Sequence, residues 1–145
     1  MIPDEFIHSF LRGVIDGDGC VYLNKNNNAN VQVATASEGF ANDLIVLFNK
    51  IGIVMRKTFV VSKETGNTYY TVITTMSDMV MLVRDILYTD NCLHLKRKKA
   101  KLDKFAEAYE IKKINKLAIY QKQKEDYKDA REKEKQQTFL WMEER

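Results

Sequence analysis

Twice along the chain, two short runs of strand-forming residues are followed by one stretch of helical period, and this order constrains the fold more than any other feature. In the first unit Cys20 to Lys25 alternates, the polar NKNNNAN run turns the chain on asparagines that tolerate left-handed geometry, and Val31 to Thr35 alternates again. Ser37 then offers an N-cap, Glu38 sits at the positive end of the helix dipole, and Phe40, Leu44, Leu47, Phe48 and Ile51 mark one face until Gly52. In the second unit Ile53 to Val61 and Thr68 to Thr75 are rich in β-branched and aromatic residues and flank SKETGN, with Gly66 and Asn67 as turn residues. Ser77 and Asp78 open the next helix, with Met79, Leu82, Val83, Ile86 and Leu87 on one side; Met76, Met79 and Met81 are read as core. A helix precedes both units: Pro3 and Asp4 supply a start, and Phe6, Phe10, Leu11, Val14 and Ile15 recur at helical spacing before Gly19. The order αββαββα predicts an α+β fold, a four-stranded antiparallel sheet covered on one face by helices.

The 145 residues, 45% hydrophobic and 30% charged, suffice for one domain with a real core. The formal charge is only +3, but LKRKKAK at Leu95 to Lys101 and the pair Lys112 and Lys113 concentrate positive charge, which suits a polyanionic partner. Cys20 and Cys92 have no CxxC spacing, MIPDEFIHSF lacks a secretory pattern, and no apolar run approaches the roughly 20 residues that span a bilayer. The expectation is an intracellular protein with no membrane partner. His8 and His94 lack zinc spacing and read as structural or surface residues. From Leu93 to Tyr109, Leu95, Leu102, Phe105, Ala106 and Tyr109 alternate with lysines, predicting a helix with a basic outer side. Beyond it the chain has no Pro or Gly and mixed charge, predicting one or two extra solvated helices. The domain reading is therefore a core over residues 1–109 and a charged helical extension over residues 110–145.

The first helix ends in LRGVIDGDG, Leu11 to Gly19. Gly13 and Gly17 lie four apart on one helix face, where missing Cβ atoms let another backbone approach closely. Each costs roughly 1 kcal/mol relative to Ala inside a helix, so the pair argues for a specific contact. The chain has one such helix, and a twofold dimer would pair it with itself, with Leu11, Gly13, Val14 and Gly17 at the interface. Asp18 then stands at the negative end of the helix dipole, where a bound cation is favoured; Mg²⁺ suits a site with few carboxylates and much water. A plain C-cap and turn is the competing reading of Asp-Gly. An EF-hand loop is excluded because Cys20 and Val21 occupy positions that need an oxygen ligand and a glycine.

LRGVIDGDG resembles the LAGLIDADG motif of homing endonucleases, departing chiefly in Arg12 for Ala and Gly17 for the second Ala. The likeness continues through TASEGFANDLIVLFNKIGI, YYTVIT and CLHLKRKKAKL, covering about Phe6 to Phe105. One motif per chain resembles the homodimeric branch, in which each subunit reads half of a long pseudo-palindromic DNA site. The resemblance implies Mg²⁺-dependent hydrolysis of a phosphodiester in each strand of double-stranded DNA, with Asp18 as the catalytic metal ligand and the Gly17 carbonyl as an accessory ligand. Asp16 is read as shaping the helix end. A family lysine near the active site falls on Lys96, or on Lys98 if the register slips by two. Gln32 or Thr35 takes the place of a polar residue that positions water. The open sheet face would read DNA in the major groove, where Asn pairs with adenine edges: alternation outward from Asp18 selects Tyr22, Asn24 and Asn26, and the other strands add Gln32, Lys57, Tyr69 and Thr71, with Lys98 gripping phosphate. Arg56 replaces Lys57 if that strand shifts by one. Two rival readings remain: a maturase that assists intron RNA, and a DNA-binding module without cleavage. A different chain completing a pseudo-dimer would also satisfy the glycines.

Overall fold

Helix α1 (Ile7–Gly17) follows a 3-10 turn at Asp4–Phe6 and buries one stripe, Ile7, Leu11 and Ile15, spaced four apart. In this computed structural model, which describes residues 2–144, the stripe covers a hairpin of β1 (Gly19–Leu23) and β2 (Ala29–Thr35). The hairpin turns at Asn27, whose φ of 56° is left-handed, so the asparagine run behaves as its composition predicts. Helix α2 (Glu38–Lys50) starts where Ser37 accepts a hydrogen bond from the Phe40 N–H at 3.2 Å, and Gly52, with φ of 80°, lets the chain leave it. A second hairpin, β3 (Arg56–Val61) and β4 (Thr68–Thr74), leads to α3 (Ser77–Leu82), which continues as a π turn over Val83–Leu87. Helix α4 (Lys96–Glu143) closes the order.

The two hairpins join through their inner strands into one antiparallel sheet of order β1-β2-β4-β3. Val21, Val31, Val33 and Val72 are buried on the face that the helices cover, together with Leu11, Ile15, Leu44, Phe48, Val80, Val83, Leu87, Leu102 and Phe105. The expected α+β architecture is therefore present, with all seven elements of the αββαββα order. Three local expectations fail. Strand β3 begins at Arg56 rather than Ile53, because Ile53 and Met55 are drawn into the core before the ladder starts. Met76 is exposed and Met79 and Met81 are half-buried. On the face expected to be covered, Phe59 and Val61 of edge strand β3 are exposed.

The chain divides into two compact units, Met1–Ala108 and Tyr109–Arg145. In the second unit one uninterrupted helix occurs where one or two were expected, and the described side chains from Glu110 onward are exposed. The absence of Pro and Gly there removes every ordinary stop signal. Among the described residues no helix is long and apolar enough to cross a membrane.

Candidate active site and nucleic-acid interface

The end of α1 is dictated by its glycine and by a lysine from far along the chain. A Cβ on Gly19 would lie 2.7 Å from backbone atoms of Ile15 and 3.1 Å from the Gln32 carbonyl oxygen, so only glycine lets β1 leave the helix this tightly. Asp18 occupies the C-cap, its N–H donating to the Val14 carbonyl at 3.0 Å, and its side chain is exposed. From the core side the Lys98 ammonium donates to the carbonyl oxygens of Ile15, Asp16 (2.9 Å) and Gly19 (2.7 Å). The last carbonyls of a helix have no intrahelical partner and carry its negative end, so they can satisfy a buried ammonium. Burial pushes the Lys98 pKa below its ordinary value and Arg97 adds to this, while Asp16, Cys20 and Asp18 oppose it. Lys101 extends the bracket, donating to the Val21 carbonyl at 3.0 Å.

Lys98, not Lys96, is thus the lysine at the helix end. Residues two apart on a helix point about 200° apart, and Lys98 shares the inner face with Leu102 and Phe105 while Lys96 is exposed. The expectation that Lys98 grips phosphate is corrected too, since its ammonium is committed to three backbone carbonyls and the residue is only 6% exposed. Asp16 turns inward: its Oδ1 accepts from the Tyr88 hydroxyl at 2.7 Å and its Oδ2 from the Leu95 N–H at 2.9 Å. Burial, then Asp16, push the Tyr88 phenol well above its ordinary pKa. Arg12, one of the two departures from the motif that LRGVIDGDG resembles, donates from Nε to the Leu93 carbonyl at 2.8 Å and from Nη1 to the Leu87 carbonyl at 3.1 Å. The only signal of this in the sequence is a charged residue among small and apolar ones.

On the open face the strand register builds a row across all four strands, Cys20 opposite Gln32, Gln32 opposite Ile73, and Ile73 opposite Arg56. The row starts two residues from Asp18. Tyr22 pairs with Asn30 on one side of it, and Ala34, Thr71 and Thr58 form the row on the other, with Tyr69 beyond. Tyr22, Gln32, Tyr69 and Thr71 therefore share the face assigned to them. Lys57 does not. It lies on the helix-covered side, its Nζ 2.7 Å from Glu38 Oε1, 2.7 Å from Asn42 Oδ1 and 5.5 Å above the Tyr70 ring. Arg56 takes its place on the open face. Asn24 is also corrected: β1 ends at Leu23, and the Asn24 Oδ1 accepts the N–H groups of Asn26 and Asn28, each at 2.9 Å, so it caps the turn. Asn26 belongs to that turn and not to the strand, so alternation does not reach it. Asn30 and Thr58 join the face unpredicted.

A second stripe at spacing four and three runs from Phe6, at the N-cap, through Phe10, Gly13 and Gly17 of α1, distinct from the buried one. Phe6 is 55% exposed, and a Cβ on Gly13 or Gly17 would meet no atom within 4 Å among the described residues beyond its own stretch of helix. Val14 beside this stripe is half-buried. Leu11 must be removed from the expected dimer interface, because it is wholly inside the core of its own chain.

As to a metal, the described residues of one chain hold no group of three or more His, Cys, Asp or Glu that could surround an ion. What they offer is the exposed Asp18 carboxylate and, next to it, exposed Gly17, whose carbonyl is not among those Lys98 takes. An all-oxygen set with a single carboxylate fits a hard cation that completes its shell with water and phosphate, which is the habit of Mg²⁺.

Against known proteins, the chain is 42% identical over 52 residues to the uncharacterised protein MJ1054 of Methanocaldococcus jannaschii, a match over 35% of this chain and 6% of that protein. It is also similar to the crystallised homing endonuclease I-CvuI, solved with the I-CreI target in the presence of Mg and with the DNA not cleaved, at a TM-score of 0.46 and 13% identity over 69% of this chain and 63% of that one. In both cases the chain spans less than two thirds of the relative's length. The family model for the LAGLIDADG-like domain matches residues 5–87, more than half of the chain. With its motif at the end of α1 and its two hairpin-helix units in the order observed, the chain belongs to the LAGLIDADG-like domain family.

Proposed function

We propose that the chain is a homodimeric, Mg²⁺-dependent endonuclease that cuts double-stranded DNA at a long, partly palindromic site. The observation that carries this reading is the exposed Asp18 at the end of a helix with an exposed glycine stripe, two residues before a row of side chains that crosses the open sheet face. Two copies joined along Phe6, Phe10, Gly13 and Gly17 bring two Asp18 carboxylates together at the junction of two sheets. Each open face then follows half of the site in the major groove, with Tyr22, Asn30, Gln32, Arg56, Tyr69 and Thr71 as the base-reading and backbone-positioning set. Asp18 with the Gly17 carbonyl would hold Mg²⁺, which when bound supplies positive charge beside the scissile phosphate. Lys98 holds the carbonyl end of α1 in place, and Gln32, in the row nearest Asp18, is set to orient water. Residues 110–145 are taken as a separate helical extension with no assigned part in this chemistry.

The test is selection from a randomised duplex library in Mg²⁺ and in Ca²⁺, followed by sequencing of bound and cut ends. One long, partly palindromic site, cut only in Mg²⁺, is the expected result. Asp18→Asn should lower cleavage of that site on the order of 10²-fold or more while binding in Ca²⁺ persists. Near wild-type cutting by this variant would remove Asp18 from the mechanism, and binding without any cutting by the parent protein would make it a recognition module.

A further inference from the structure

The segment between the π turn and α4, residues 88–95, contains no regular structure, yet it delivers Lys98 to the end of α1. Both of its ends are held by α1 itself. Arg12 takes the Leu87 and Leu93 carbonyls, one at each end. Asp16, one turn further along the same helix, takes the Tyr88 hydroxyl and the Leu95 N–H, again one at each end. The Leu95 carbonyl in turn accepts the Lys98 N–H at 3.0 Å, so the anchored residue is the one that opens α4. Arg12 and Asp16 are both half-buried, and the bonds to the Leu87 carbonyl and the Tyr88 hydroxyl are the part-buried ones of the four.

We infer that Arg12, with Asp16, is a positioning residue: the two charges of α1 clamp residues 88–95 and so fix the phase at which α4 presents Lys98 to the carbonyls beside Asp18. The planar guanidinium aims its Nε and Nη1 donors at the two carbonyls in one rigid fork. Losing Arg12 leaves the carbonyls of Leu87 and Leu93 to water and lets the start of α4 rotate or fray. The consequence for cleavage rests on the endonuclease reading above; the consequence for Lys98 does not.

Lysine acetylation of the full chain by an N-hydroxysuccinimide ester, followed residue by residue by mass spectrometry, tests this with exposed Lys96 as internal standard. In the wild type Lys98 should react at least about tenfold more slowly than Lys96, and Arg12→Ala should narrow that gap by roughly tenfold with far-ultraviolet dichroism unchanged. Arg12→Lys should restore part of the protection. Unchanged protection of Lys98 in folded Arg12→Ala overturns the inference. If that variant does not fold, Tyr88→Phe, which removes one hydroxyl from Asp16, carries the same measurement: loosening of Lys98 supports the clamp and unchanged protection overturns it. On a selected DNA site Arg12→Ala should slow cutting more than it weakens binding, and loosening of Lys98 with cutting unaffected overturns the positioning role. Loosening of Lys98 in a protein whose wild type cuts no selected DNA would sink the endonuclease reading and leave the clamp standing.

Discussion

A lysine whose ammonium is shared among three carbonyls is part of the backbone scaffold, and its removal should be felt differently from that of its neighbours. Lys98→Met keeps most of the side-chain volume but takes the ammonium donor away from the carbonyls of Ile15, Asp16 and Gly19. We expect a loss of about 2–3 kcal/mol in urea unfolding, against at most about 0.5 kcal/mol for the exposed Lys96→Ala. Equal effects would show that the bracket contributes nothing to stability. The sequence could not separate these two residues, because LKRKKAK places a cation at nearly every helical angle and only the phase of α4 decides which one turns inward. Arg56 and Lys57 posed the same problem in a strand, where a one-residue shift exchanges faces. Asn24 was misread for another reason: its side chain satisfies the turn's own N–H groups, a local competition that alternation does not register.

At the scale of elements, the parts legible in advance were those with redundant signals. Ser37, the apolar face of α2 and Gly52 all mark one helix, and structure and sequence agree there to within a residue. Tyr88 to Cys92 carried no such pattern, and the helix read from Leu93 starts only at Lys96, because the order of this segment comes from α1 and not from itself. A second tie holds the π turn to α4: Arg84 Nε and Lys99 Nζ donate to the two oxygens of Asp103, at 2.8 and 2.9 Å. Burial raises the Asp103 pKa, but the hydrogen bonds from Lys99 and Arg84 outweigh it and leave the carboxyl below its ordinary value. A carboxyl depressed in the folded state adds stability above its unfolded pKa and loses it as pH falls through the folded one. The melting temperature should therefore drop below about pH 4, and Asp103→Asn should be less stable at neutral pH and show a smaller acid drop. An unchanged acid profile in that variant would take Asp103 out of the linkage.

For the molecule as a whole, the repeat of hairpin and helix was enough to foresee the sheet and its covered face, because the two hairpins pair with each other and their helices pack on one shared side. The homodimer proposed above rests on one stripe. Gly13→Leu puts a side chain where another backbone is expected and nothing within its own chain objects, so folding should persist while light scattering reports monomer in place of dimer. A variant that remains dimeric would mean that the glycines serve some other contact. The Lys98 bracket also sets a timetable. Its donor and the Ile15 carbonyl are 83 residues apart, a separation that spans both hairpins. A chain made from its N-terminus can pair strands and pack α2 well before residue 98 leaves the ribosome, so the acidic end of α1 is the last part of this unit to be completed. A nascent chain of such a protein is a folded sheet before the end of α1 has received its lysine.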